Sequence, residues 1–422
     1  MDETNLLFKN PTFFIVCLLV IMTPMLRGSV HLWAETLIQM LALTGVCIVV
    51  LEKHIFFKGK SALGSGRNTE SWVMGPVFFL AVISGGVARS QSLAMEGFVM
   101  LLTYLAIFYI TLYAVRHRKE QRILVYVIIG TALFLSFFAM LKQFDMNPMG
   151  LWLYPEILRP GDPSLTGPYV NRNHLAGFLE MAIPLLLGLF LTRERSHENL
   201  LAMIGLVLFL IIAQAMTLSR GGWAATFMSL ILMMAALLLS KEFKQKRLLI
   251  SIFISVLVVG IIVLASTPVI QRITTLTQHD TSDNLAGRMK IWRETVSLIK
   301  DNLWMGVGPG NFKEVYPAYQ TPGDSFLAVY AHNDYLHFIA ESGILGVPVM
   351  LWLLYLFFRA GLRKLKHPSR QTRGIALGGM GAIIAVLIHS YSDFNLHIPA
   401  NIILFTVISC LVMVGKRRER RV

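Results

Sequence analysis

Residues 199–240 read NLLAMIGLVLFLIIAQAMTLSRGGWAATFMSLILMMAALLLS, and Arg220 is the only charged residue among them. On either side of the Thr217–Gly221 turn runs an apolar segment of about 20 residues, the length a helix needs to cross a bilayer. Two such segments joined by so short a connection make a transmembrane helical hairpin. Working outward, the same pattern recurs roughly at 12–26, 30–51, 72–88, 93–115, 123–141 and 174–191 before the hairpin. It continues at 248–266, 338–358, 374–390 and 398–414 after it. Of the 422 residues, 55% are hydrophobic and 15% charged, against about 25% charged in soluble domains. The expected fold is a single all-α polytopic membrane domain over 1–422, with about twelve transmembrane helices. The first span is short, but only Lys9 precedes it and no small-residue cleavage site follows, so it is read as retained rather than as a signal peptide.

The formal charge is +14, from 38 Lys+Arg against 24 Asp+Glu. A nucleic-acid binder carries such an excess on a water-facing surface. Here the basic residues stand between apolar runs, so no nucleic-acid partner is expected and the charge reads as an orientation signal. Lys9, Lys53–Arg67, Arg116–Arg122, Arg193 and Arg195, Lys241–Arg247, Arg359–Arg373 and Lys416–Arg421 fall on one side and hold 26 of the 38. Both termini are therefore expected in the cytoplasm, which requires an even number of spans. Cys17, Cys47 and Cys410 lie inside apolar runs, where neither a disulfide nor a metal cluster is expected.

Two external connections are long enough to hold structure: 142–173, and 267–337 between the ninth and tenth spans. In the second, Leu285, Met289, Trp292, Val296 and Ile299 recur at helical spacing, which predicts an amphipathic helix near 283–300 with Ser282 or Asp283 as its N-cap. The glycine-rich Trp304–Phe312 stretch follows a helix rather than a strand, so it reads as a tight loop and not as a dinucleotide-binding turn. A transporter of two six-span halves would put its long loop after the sixth span and its site near the midplane; this chain does neither.

Charge in unfavourable places marks the candidate residues. Arg220 sits at a hydrocarbon edge on the side where arginines are few. Arg288, at about 100° per residue, borders the apolar stripe of its helix whereas Lys290 points to water. Arg172, in Tyr169-Val170-Asn171-Arg172-Asn173-His174, is a third arginine at the external mouth. His332 precedes the helix that leads into the tenth span, and a helix N-terminus disfavours the imidazolium form. The ordinary alternatives are a snorkelling arginine for Arg220, an ion pair with Asp283 or Asp280 for Arg288, and a structural role for His332. Guanidinium groups grip phosphate by parallel hydrogen bonds, so this set fits a lipid-linked phosphate better than a transport path. Glu35, Glu96, Glu180 and Glu341 lie within spans and read first as structural partners. The external loops show no clustered carboxylates for a divalent metal, so neither metal nor cofactor is expected.

His332-Asn333, nine residues, then Gly343-Ile344-Leu345-Gly346 resembles the signature of bacterial O-antigen ligases: His-Asn/Ser/Gln, nine residues, Gly, two residues, Gly/Thr/Tyr. The Ser219-Arg220-Gly221 turn, the Gly287-Arg288…Trp292 helix and the Gly306–Phe312 loop are also similar, whereas the first five spans match in topology alone. The paired arginine-rich loop motif of the related polymerases, with a glycine eleven positions on, is absent. The C-terminal extension usual in protein O-oligosaccharyltransferases is not found after Val422. The resemblance implies an inverting, metal-independent glycosyltransferase at the periplasmic face of a bacterial inner membrane. It would move polysaccharide from undecaprenyl diphosphate to a sugar hydroxyl of lipid A-core. It further implies that Arg220 and Arg288 clamp the diphosphate, that Arg172, Asn173, His174 and Asn333 bind substrate, and that His332 positions or deprotonates the acceptor hydroxyl.

Overall fold

The computed structural model describes residues 10–56, 67–143, 164–190, 197–241, 285–321 and 328–415, together with 250, 254 and 258. Among the described residues the regular structure is helical. In chain order it comprises α1 (Pro11–Met25), α2 (Leu32–Phe56), α3 (Arg67–Gly86), α4 (Gln91–Ala114), α5 (Arg118–Gln143), α6 (Arg172–Phe190) and α7 (His197–Met216). Then come α8 (Arg220–Leu239), α9 (Leu285–Asp301), α10 (Asp334–Ser342), α11 (Gly346–Leu365), α12 (Arg370–His389) and α13 (Pro399–Met413). Seven of the described helices are long and apolar enough to cross a membrane. Shorter apolar helices cover Pro11–Met25, Ser71–Gly86, Leu201–Met216 and Pro399–Met413. Most of the ninth expected span, the N-cap residues Ser282 and Asp283, and most of the 142–173 connection lie outside the described residues.

The helices start where the sequence supplies a cap. The Asn10 side chain accepts from Phe13 N at 3.0 Å and Pro11 opens α1, a donor-free residue where no intrahelical partner exists. Ser219 caps α8 by accepting from Gly222 N at 3.3 Å, and Ser369 caps α12. The centre of the bundle is α6, buried along almost its whole length against α12. Small residues allow that approach: a Cβ on Gly188 would stand 2.3 Å from the Gly374 carbonyl oxygen, and one on Gly378 would stand 2.6 Å from that of Pro184. Close backbone contact of this kind is how helices associate where lipid removes the hydrophobic driving force between them.

The tenth expected span, 338–358, is not one helix. It is divided into α10 and α11 at Gly343, whose φ of 67° and ψ of −175° lie in a region essentially restricted to glycine. The break is fixed from outside: Ile344 N donates to the Leu303 carbonyl at 2.8 Å, and Val307 N and Gly308 N donate to the Ala340 and Glu341 carbonyls at 2.9 and 3.0 Å. The glycine-rich loop thus spends its backbone donors on the end of α10. Gly306, with φ 69°, fits because a Cβ would lie 2.4 Å from the Glu341 backbone. Ala340, inside the expected span, and Leu336 just before it instead pack in one cluster with Leu298 of α9 and Phe312 at the end of this loop. Gly343→Ala is expected to cost at least about 1–3 kcal/mol for backbone strain alone, with more for a Cβ placed 2.2 Å from the Trp304 oxygen. Thermal unfolding of the detergent-solubilised protein checks it.

Helix α9 forms where the periodicity placed it, but its protein-facing side is turned from the expected stripe. Ile291, Thr295 and Leu298 are buried, and the Glu294 carboxylate takes hydrogen bonds from the Tyr316 hydroxyl and from Thr321 N at 2.9 Å. Met289 and Val296, read as part of the apolar seam, are exposed, and Lys290 is half-buried rather than directed to water. Periodicity locates an apolar stripe without saying whether it meets protein or lipid.

Candidate functional site

The N-termini of α6, α8 and α10, the side of α9 and the α12–α13 connection meet at one end of the bundle. At their meeting point is Asp393, fully buried in Tyr391-Ser392-Asp393-Phe394-Asn395. Its Oδ2 lies 3.5 Å from Arg288 Nη2 and also accepts from the Asn173 side-chain amide. Its Oδ1 accepts from Phe394 N at 2.8 Å and lies 3.9 Å from His332 Nδ1. Arg288 Nη1 donates in addition to the Ser392 carbonyl. One carboxylate therefore gathers residues from α6, α9 and the turn before α10, which are far apart in sequence.

Two strained turns aim side chains at this point. His332 has φ 49° and Leu218 has φ 54°, values rare for residues with a Cβ. The His332 carbonyl accepts from Trp292 Nε1 at 3.3 Å, and its ring meets Phe394 edge-on at 4.8 Å. After it, Asn333 caps α10, its side-chain oxygen accepting from Tyr335 N at 3.0 Å and Leu336 N at 3.1 Å. Leu218 belongs to the turn that ends in Arg220, the exposed first residue of α8. A Cβ on the next residue, Gly221, would stand 2.8 Å from both His389 Nε2 and Ser392 Oγ. The Arg220 turn is thus seated beside the peptide that holds Arg288.

Arg172 is the half-buried first residue of α6, next to Asn173. His174, also expected to bind substrate, is buried with its ring 4.9 Å from Phe394, and its carbonyl accepts from Asn401 at 3.0 Å.

Burial by itself would raise the Asp393 pKa. The Arg288 charge, with smaller contributions from His174, His389 and His332, outweighs it and holds the carboxyl down at about 2. Asp393 is thus a permanent anion that orients a guanidinium and faces an imidazole. This resembles the acid of a hydrolase triad, which stabilises the imidazolium as it forms.

Sequence reading missed Asp393 and the role of Asp334, whereas Glu180, read as a structural partner, is one. His389 Nδ1 lies 2.9 Å from Glu180 Oε2, both buried. Asp334 ties the connection to α10: it accepts from Ser390 Oγ at 2.7 Å and Leu396 N at 3.0 Å, and its Oδ1 lies 2.7 Å from His397 Nδ1. The available signal was a lone carboxylate in a short external turn between two apolar spans. Of the described residues, His337, Glu341 and His397 have ligand atoms within 4.8 Å of one another, close enough to hold a cation.

Residues 204–353 match the Wzy_C family model, described as O-antigen ligase. The matched segment runs from α7 into α11 and carries Arg220, Arg288, His332 and Asn333; Asn173 and Asp393 lie outside it. The comparison with curated proteins gave no match. The likeness to the O-antigen ligase family thus covers the segment from 204 to 353, and the remainder of the chain lies outside the match.

Proposed function

We propose that the chain is an O-antigen ligase of a bacterial inner membrane, with both termini cytoplasmic and the Asp393 end of the bundle periplasmic. It transfers polysaccharide from undecaprenyl diphosphate to a sugar hydroxyl of lipid A-core. The observation that carries this reading is the convergence of Arg288, His332 and Asn173 on a single buried carboxylate beside the Arg220 turn.

The chemistry follows from charge. The acceptor oxygen attacks the anomeric carbon of the glycan as the bond from that carbon to the diphosphate oxygen breaks, which inverts the centre. Arg288 and Arg220, with Arg172 beside them, take the negative charge that grows on the diphosphate; fixed donors aimed at developing charge are the largest single contribution to many such reactions. The hydroxyl proton passes to His332, and Asp393 stabilises the resulting imidazolium. The separation of 3.9 Å between them is within what a site without substrate shows before it tightens. A diphosphate is already an activated leaving group, so the mechanism is drawn without a metal ion. Asn173, His174 and Asn333 support this site from within, through the Asp393 contact, the packing on Phe394 and the cap of α10.

The test is in vitro transfer with purified protein, lipid-linked donor and lipid A-core, with and without chelator. Long glycan appearing on lipid A-core in both conditions supports the reading. Donor glycan that grows in repeats while lipid A-core stays unmodified would make the protein a polymerase.

A further inference from the structure

Beside the His332 turn lies a second histidine that the proposed reaction does not use. His337 is buried on α10. Its Nε2 is 3.3 Å from Glu341 Oε1, one helical turn on. Its Nδ1 accepts from Ala331 N at 3.3 Å. Ala331 is fully buried, so its N–H needs a partner inside the protein. That partner is supplied by the residue that immediately precedes His332 finding an acceptor on His337.

This contact decides which ring nitrogen carries the proton. Nδ1 must be bare to accept, so the proton sits on Nε2 and points at Glu341. The spacing of His337, Glu341 and His397 would also suit a transition-metal ion. A metal on His337 Nε2 would move the proton to Nδ1, where it would face the Ala331 N–H donor to donor. His397 meanwhile lies ring to ring with His337 at 4.1 Å, with its own Nδ1 on Asp334. Phe312 covers another face of His337 at 4.5 Å.

We propose that His337 is a positioning residue for the site: as the Nε2–H tautomer held by Glu341, it anchors Ala331 and so keeps His332 in its left-handed turn against Asp393. The proposal rests on the reading of His332 as the group that takes the acceptor proton. It adds that the placement of His332 depends on the charge state of a neighbour out of reach of the substrate.

The charged and titratable groups facing His337 are Glu341 and Asp334 on its own helix, His397 on the 395–397 turn and Tyr330 on the preceding segment. Glu35 of α2 reaches this cluster through Tyr330. Burial first, and His397 second, hold the His337 pKa below its ordinary 6.5. Burial would raise the Glu341 carboxyl, but His337 and His397 outweigh it and keep that carboxylate ready to accept. The neutral ring thus persists below its usual range. The anchor is present above the lowered value and lost as pH falls through it, because the incoming proton occupies Nδ1.

Two substitutions separate this from a merely structural role. His337→Asn puts a carbonyl oxygen close to where Nδ1 stood and keeps the acceptor for Ala331; His337→Gln reaches Glu341 instead and leaves Ala331 without one. The expected result is that H337N retains most of the turnover and loses one titration from the acid limb of its pH profile. H337Q is expected to fall in kcat by about ten- to a hundredfold, as when a catalytic group is misplaced by about 1 Å, with the KM for lipid-linked donor unchanged. Nitrogen NMR of the histidine-labelled protein gives an independent reading, with the proton expected on Nε2 of His337. Equal loss in the two variants, a proton on Nδ1, or stoichiometric zinc in the purified protein would overturn the assignment. Absence of any transfer by the wild-type protein would instead sink the ligase reading, while the tautomer would still decide the role of His337.

Discussion

Replacing Arg288 by alanine is expected to lower glycan transfer by about a hundred- to a thousandfold, the usual cost of removing one fixed donor from a site of developing negative charge. The bundle should survive the change. Helix α9 is held by Ile291, Thr295 and Leu298 and by the Glu294 hydrogen bonds to Tyr316 and Thr321, none of which involves Arg288. The loss should appear in kcat, with unfolding temperature lowered only modestly. Arg288→Lys should recover little of it. A lysine keeps the charge but not the planar fork that reaches both Ser392 and Asp393. In vitro transfer at saturating lipid-linked donor measures the effect, and an alanine variant within tenfold of wild type would remove Arg288 from the proposed clamp.

Replacing Asp393 by alanine should be worse, because it damages the fold and the site together. It strands the Arg288 guanidinium, the Asn173 amide and the Phe394 N–H at a buried position. Breaking a buried pair by removing one partner costs about 3–5 kcal/mol. It also takes away the charge that orients His332. No transfer is expected, and a large fall in unfolding temperature should accompany the loss. Asp393→Asn separates the two effects, since it keeps the volume and an oxygen for Phe394 N while removing the charge. The pH dependence carries the same signature. The folded pKa is depressed, so the stability that Asp393 contributes is present above its ordinary 3.8 and lost as pH falls towards about 2. The stability gap between wild type and D393N should close over that window. A gap that is unchanged there would show that the charge of Asp393 is not what holds the site.

Much of this was legible in the sequence because the bilayer simplifies the problem. Apolar length alone located α1 to α8, α12 and α13, and the three- and four-residue spacing located α9. Arginines at a hydrocarbon edge are conspicuous, so Arg220, Arg288 and Arg172 could be picked out singly. The division of the tenth span at Gly343 was hidden, since the apolar residues of α10 look the same whether they meet lipid or α9. Asp393 was hidden for another reason. Its importance comes from partners on other elements, Arg288, Asn173 and His332, all distant in sequence, and an aspartate in a short turn carries no local mark of that. His332 was found as a chemical group, but its seating was not: the His337–Glu341 pair is local, one helical turn apart, whereas the Asp334–His397 contact that closes the network crosses to another element and leaves no periodic trace.

The contact between α6 and α12 has a mechanical consequence. With Gly188 against Gly374 and Gly378, the two helices have no clearance to slide along each other. Asn173 at the head of one and Asp393 just past the foot of the other are therefore held like two jaws on one frame. The glycine loop is seated as closely: a Cβ on Gly310 would stand 2.8 Å from the Leu93 carbonyl oxygen of α4, and one on Gly343 would stand 2.2 Å from that of Trp304. A covalent link between α6 and α12 should accordingly leave turnover untouched.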